Sequence, residues 1–287
     1  MKLLITGAYG LVGNNICKLL ECDYPEIEVT KVKCDMATEN NAPYADYVIF
    51  ASGYGQPAKF MENKLGTINL NTLELQRAFH CLKPGGKFLF VSTSEVYSGA
   101  PSPHKETDIG TTTPQHPRAC YIEGKRCGEA ICMAYKEQGY DVKIARLALA
   151  YGPGTKKGDT RVLNKFIEQA LTTGEIVLKD AGSAERTYLY VEDAAQMMLD
   201  ILFKGKEVVY NVGGESYTNI LDLSMKIGEL TGASIKLGND TLLGAPSSVR
   251  VCINRINAEF PRTFVPLDEG LRRTIEYQKT LYCTDGT

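Results

Sequence analysis

The chain has 287 residues, enough for one nucleotide-binding domain with a smaller lobe attached. Lys and Arg number 32 against 34 Asp and Glu, which leaves neither the broad basic surface that nucleic acid needs nor a polybasic patch for anionic lipid. The nine cysteines (17, 22, 34, 81, 120, 127, 132, 252 and 283) are scattered and odd in number, and they read as reduced, mostly buried thiols. None has zinc-ribbon spacing and His80, His104 and His116 stand apart from them, so no metal site is expected.

Residues 1–7 read as a strand running into a glycine turn, with no room for a signal peptide ahead of the fold. No stretch approaches the roughly 20 apolar residues of a membrane span. Together these predict a cytoplasmic protein with no membrane or nucleic-acid partner. Leu3, Leu4 and Ile5 form the first strand, and Leu11, Ile16, Leu19 and Leu20 then recur at helical spacing. Strands are predicted at 29–32, 47–50 and 87–91, with a helix at 66–82 between the last two. A helix at 121–136 and a strand at 142–147 continue the alternation. The pattern implies an α/β fold, a Rossmann-type doubly wound parallel sheet built from right-handed βαβ units. Beyond Gly152 the elements shorten: helices at 161–172, 220–231 and 267–277, and strands near Ile176 and Val208. We read 1–152 as the dinucleotide-binding domain and 153–287 as mainly a smaller α/β substrate-binding lobe, interleaved with the first.

Gly7, Ala8, Tyr9, Gly10, Leu11, Val12 and Gly13 lie between the first strand and the first helix. There a pyrophosphate can rest on backbone N–H groups at the positive end of the helix dipole. An acid about 20 positions further on is expected to hold the adenosine ribose. Asp23, Glu26 and Glu28 sit at no obvious strand end, whereas Asp35 follows Val32, Lys33 and Cys34; its competing reading is a solvated turn aspartate.

Tyr121 and Lys125 are four apart on a predicted helix, so their side chains project from one face. An ammonium beside a phenol, reinforced by a positive nicotinamide, lowers the phenol from about 10 towards neutrality and suits it to take a proton from a sugar hydroxyl. Thr93 lies just past the strand at 87–91, at the carboxyl edge where open α/β sheets bind ligands, and it would steady the same oxygen.

These residues resemble the extended short-chain dehydrogenase/reductase family, the NAD-dependent epimerases and dehydratases: Thr6 to Gly13 matches TGxxGxxG and Tyr121 to Lys125 matches YxxxK. Within it, Ser92-Thr93-Ser94-Glu95-Val96-Tyr97, Pro117 to Arg126, Asp159-Thr160-Arg161-Val162 and Arg186 to Val191 look most like the UDP-glucuronate decarboxylase pattern. The resemblance implies a redox triad of Thr93, Tyr121 and Lys125, with Ser94 and Glu95 beside the reacting carbons. It puts Arg161 and Arg250 on a carboxylate or on phosphates and Arg186 on the nucleotide. For the cofactor it implies Gly7, Tyr9, Gly10, Leu11, Val12, Gly13, Asp35, Met36, Ala51 and Ser52 together with Tyr121 and Lys125. The dehydratase branch usually has an aspartate where Ser94 stands, which disfavours water elimination.

The chain departs from the family in three places, one of them Ser98-Gly99 in place of the usual glycine directly after Val96-Tyr97. The strand, helix and strand that normally precede the position of Asp35 are abbreviated, so NADP is the alternative to NAD if Lys31 or Lys33 meets a 2′-phosphate. Leu149 stands where the family often has a substrate-contacting asparagine. The expected activity is a UDP-glucuronate decarboxylase-like conversion of a UDP-linked nucleotide sugar through a transient 4-keto sugar. A UDP-sugar 4-epimerase and a non-catalytic cofactor-binding scaffold are the alternatives. A homodimer through the helices at 66–82 and 121–136 is also expected.

Overall fold

The computed structural model describes residues 1–33, 44–238 and 248–283. Its first half contains β1 (Lys2–Thr6), α1 (Leu11–Asp23), β2 (Glu28–Val32), β3 (Ala45–Phe50), α2 (Pro57–Glu62), α3 (Lys64–Phe79), β4 (Leu82–Thr93), a 3-10 turn (Ser94–Tyr97), α4 (Ala119–Glu137), β5 (Asp141–Leu147) and β6 (Leu149–Tyr151). The second contains α5 (Val162–Thr173), β7 (Glu175–Val177), β8 (Glu185–Tyr190), α6 (Val191–Lys204), β9 (Val209–Val212), β10 (Ser216–Asn219), α7 (Ile220–Thr231), β11 (Ser234–Lys236), β12 (Ser248–Val249), α8 (Asn254–Glu259) and α9 (Leu267–Tyr282).

Six strands form one parallel sheet in the order β2-β1-β3-β4-β5-β9. The fold is therefore the doubly wound α/β type. Leu3, Leu4 and Ile5 of β1 are fully buried, because helices cover both faces of a parallel sheet and its central strands need apolar residues at every position. α1 and α6 close one face, around Leu3, Ile5, Ile16, Leu89 and Met198; α3 and α4 close the other, around Leu4, Val48, Phe79, Phe90 and Cys132. The chain passes from β1 through α1 to β2, and residues 33–44 then lead to β3 on the other side of β1. The strand order thus reverses between β1 and β3, and a cleft opens outside their carboxyl ends.

The smaller sheet, β10-β8-β12 with β6 against β8, packs with α5, α7 and α9 around Tyr151, Phe166, Tyr188, Leu223 and Leu271. The sequence pattern passes over one long element of this half. α6 buries Val191, Ala194, Ala195, Met197, Met198, Leu199, Ile201 and Leu202, while Glu192, Gln196, Asp200 and Lys204 recur at helical spacing along its other side, so the period was present in the sequence. It belongs to the large sheet, which the chain re-enters through β9. The helix expected at 66–82 is α3, which ends at Phe79, and a short helix that was not expected, α2, precedes it. Three cysteines expected inside, Cys22, Cys127 and Cys283, are exposed, while Cys17, Cys81, Cys120 and Cys132 are buried. No described helix is long and apolar enough to cross a membrane.

Candidate active site

The glycine turn sits at the reversal point. Gly7 has a φ of +68°, and a Cβ there would lie 2.5 Å from the Ala51 carbonyl oxygen; a Cβ on Gly13 would overlap the Gly7 carbonyl. Only glycine allows the left-handed turn and the close approach of the next strand. The backbone N–H of Ala51 donates to Thr6 O at 3.2 Å and that of Ser52 to Thr6 Oγ1 at 3.3 Å, which ties the start of the loop after β3 to the end of β1. α1 begins at Leu11 with Gly10 as its N-cap and no side-chain cap, so the first-turn N–H groups are left for a ligand to satisfy. Tyr9 is exposed beside the turn, and Leu11 and Val12 are half-buried. This cradle fits a dinucleotide pyrophosphate. Asp35 and Met36 lie outside the described residues. Lys31 is paired with Glu21 of α1 at 2.6 Å.

β4 ends at Thr93, whose side chain hydrogen-bonds both the Glu95 N–H, at 3.2 Å, and the Tyr121 phenol. Tyr121 lies in the first turn of α4 and stacks on Phe60 of α2, with ring centroids 4.6 Å apart and planes within 3°. Lys125, one turn on, donates from Nζ to the Val91 carbonyl at 2.7 Å and lies over the Phe90 ring at 4.6 Å. In the protein alone Lys125 is therefore bonded to the sheet backbone rather than to the phenol. Burial pushes Lys125 down to about 7 against the opposing pull of Glu129, and burial pushes Tyr121 up to about 12 against the easing hydrogen bond from Thr93. The second shift runs opposite to the expectation from sequence. The chain's own groups keep the phenol protonated, because removing it from water outweighs the nearby positive charges.

Ser94 and Glu95 begin the 3-10 turn directly after Thr93. Glu95 Oε1 pairs with Arg118 Nη2, and burial raises Glu95 while Arg118 lowers it. Arg118 is the N-cap residue of α4, and its guanidinium lies 5.3 Å from the Phe60 ring centre. Phe60 thus holds both Tyr121 and Arg118 at the mouth of the cleft.

The three arginines expected to meet anions have different surroundings. Arg161 is bonded through Nε and Nη2 to Asp159 and through Nη1 to the Ala150 carbonyl, so all three nitrogens are engaged within the chain. Among the described residues Arg186 of β8 donates only from Nη1, to the Glu185 carbonyl. Arg250 follows β12, whose Val249 pairs with Arg186, and it lies 5.6 Å from the Tyr217 ring centre. Its carbonyl accepts from the His104 N–H at 2.9 Å, which ties this strand end to the loop after β4. Arg186 and Arg250 are therefore neighbours on the lobe, while Arg161 lies nearer Tyr121, whose acidity it affects.

The model of the NAD-dependent epimerase/dehydratase family matches residues 3–213. The chain belongs to this family. It is 28% identical to a UDP-glucuronic acid decarboxylase 1 of Xenopus tropicalis, over 96% of this chain and 72% of that protein. Its fold matches that of the UDP-glucuronic acid 4-epimerase of Bacillus cereus, solved with UDP-glucuronic acid and NAD, with a TM-score of 0.82 and 20% identity over 98% of this chain and 100% of that one. It also matches RMD from Pseudomonas aeruginosa, solved with NADPH, with a TM-score of 0.85 and 22% identity over 98% and 99% of the two chains. The decarboxylases among the relatives and the epimerases among the structures act on nucleotide sugars, as the extended short-chain dehydrogenase/reductase resemblance implies.

Two side chains at this site escape a reading of motifs. Phe60 belongs to none of them, and its position over Tyr121 follows from the short helix α2 that precedes α3. Glu129 faces Lys125 one turn along α4 and holds Arg146 in a two-pronged ion pair, while accepting from Ser92 Oγ at 2.5 Å. The i, i+4 spacing from Lys125 to Glu129 is the signal that could have found it.

Proposed function

We propose that the chain is an NAD-dependent nucleotide-sugar enzyme that decarboxylates a UDP-linked uronic acid through a transient 4-keto sugar. The supporting observation is the Tyr121 phenol, held by Thr93 and Phe60 at the carboxyl end of β4, one helical turn from a buried Lys125 and across from the glycine cradle. Gly7, Gly10 and Gly13, the first turn of α1, Ala51, Ser52 and Lys125 would hold NAD, with NADP as the alternative. Bound there, the cofactor supplies the oxidant that removes hydride from C4 of the sugar and later returns it. Once the positive charge of the oxidised cofactor, added to that of Lys125, lets the phenol shed its proton, Tyr121 Oη would take the C4 hydroxyl proton as that carbon is oxidised and give it back on re-reduction, with Thr93 orienting the same oxygen. The intervening ketone lies β to the sugar carboxylate, so CO2 departs while the electron pair delocalises into the carbonyl. Ser94 and Glu95 stand where a proton must then reach the adjacent carbon. Arg186 and Arg250 would meet the diphosphate on the lobe side, and residues 153–287 would supply most of the nucleotide-sugar contacts. We also propose a homodimer through α3 and α4.

Incubation with UDP-glucuronate and NAD should release CO2 and a UDP-pentose. Tyr121→Phe should lower turnover by about 10²–10⁴-fold while NAD binding survives, as loss of a positioned proton-transfer group predicts. Equilibration of UDP-glucose with UDP-galactose, with no CO2 from UDP-glucuronate, would replace this reading with a 4-epimerase. Activity indifferent to Tyr121→Phe would remove the phenol from the chemistry.

A further inference from the structure

We infer that Arg118 is the specificity-determining residue that reads a carboxylate on the sugar; this deepens the decarboxylase reading and rests on it. A carboxylate beside the reacting carbons needs a cation with donors to spare, close to Thr93 and Tyr121. Four arginines surround the carboxyl ends of β4 and β5. Arg126 gives Nε and Nη2 to the Val96 carbonyl and Nη1 to Glu123. Arg146 gives Nε and Nη2 to Glu129 and Nη1 to both Tyr97 Oη and the Glu106 carbonyl. Arg161 is fully engaged by Asp159 and Ala150. Arg118 differs from these three: only Nη2 is bonded, to Glu95, while Nε is enclosed without a partner and Nη1 meets no acceptor among the described residues.

The placement of its guanidinium suits this task. It lies over the Phe60 ring, 5.3 Å from its centre, a contact that consumes no N–H group. A planar guanidinium binds a carboxylate in its own plane through two N–H groups, so the ring contact and anion binding are compatible. Glu95 Oε2 is likewise enclosed without a partner. In the free protein Glu95 balances the charge of Arg118 through one contact, and the remaining donors are left for a second anion. The Arg118 side chain is one-third exposed, so part of it can be reached by a ligand. Arg118 also stands on the turn before Tyr121, and its charge acts on that phenol, which places the two in one site. A sugar carboxylate held there would be presented beside the oxygen that Tyr121 and Thr93 handle, while the diphosphate is left to Arg186 and Arg250.

The test compares the affinities of UDP-glucuronate and UDP-glucose for the NAD-loaded protein by calorimetry, in the parent and in Arg118→Gln and Arg118→Lys. The parent should prefer UDP-glucuronate. Arg118→Gln should lower that preference by ten-fold or more, as loss of hydrogen bonds to a charged group predicts, with UDP-glucose affinity unchanged. Arg118→Lys, which keeps the charge and loses the fork, should fall between. NAD affinity and thermal unfolding report whether each variant is folded. A folded Arg118→Gln variant with the parent's preference overturns the inference, as does an equal loss for both sugars. If the parent releases CO2 but the variants keep their preference, only the role of Arg118 fails. A parent with no preference and no CO2 release brings down the decarboxylase reading and this inference together.

Discussion

Replacing Lys125 with Met should stabilise the protein without cofactor at mildly acidic pH and abolish turnover. Burial lowers the Lys125 ammonium from an ordinary value of 10.5 to about 7. A lysine whose folded-state pKa is depressed costs stability in full below the folded value, and the cost is relieved as pH rises towards the unfolded value. With these two values the cost is about 5 kcal/mol at pH 6 and about 2 kcal/mol at pH 9. Met keeps the chain length and removes the charge, along with the bond to the Val91 carbonyl and the contact with Phe90, whose loss is the same at both pH values. The difference between parent and Lys125→Met should therefore shift by about 2–3 kcal/mol in the parent's favour between pH 6 and pH 9. Urea unfolding of the cofactor-free proteins at the two pH values measures it. A difference that does not change with pH would show that Lys125 is not charged against its surroundings, and the electrostatic account of the site would fall.

Gly13→Ala should lose NAD affinity by at least ten-fold, because the added methyl would overlap the Gly7 carbonyl and open the turn; calorimetric titration with NAD reads this, and unchanged affinity would discard the cradle. Leu65, Ile68 and Leu73 on α3 and Met133 on α4 are exposed, an apolar surface on the two helices that pack against each other. Ile68→Glu should convert the proposed dimer to monomer in sedimentation equilibrium at micromolar protein, and a parent already monomeric there would refute that assembly.

The large sheet was legible because its strands carry the continuous apolar runs that two covered faces demand, as in Leu3, Leu4 and Ile5 or in 87–91. The glycine turn was legible because its steric demand is local: Gly7 and Gly13 are required by contacts within one turn and with the neighbouring strand. α6 does carry a polar stripe, Glu192, Gln196, Asp200 and Lys204, but spacing alone does not say which sheet its apolar face covers. The electrostatics were misread for a similar reason. Spacing places Tyr121 and Lys125 on one face of α4, but it carries no information on how far each is removed from water, and desolvation sets the direction of both shifts.

The arginines show where sequence reading stops in this family. Arg161 lies in a motif and invites assignment to an anion, yet the fold places Asp159 two residues away in a geometry that takes up Nε and Nη2, leaving only Nη1 for the Ala150 carbonyl. Arg118 lies in an equally plain motif and is half spent. What separates them is which acceptors the tertiary structure brings to each guanidinium, and that depends on the Ser94–Tyr97 turn and α2 meeting the start of α4. Availability of donors, more than identity of the residue, decides which arginine can recognise a substrate, and it becomes readable only when every competing partner is in place.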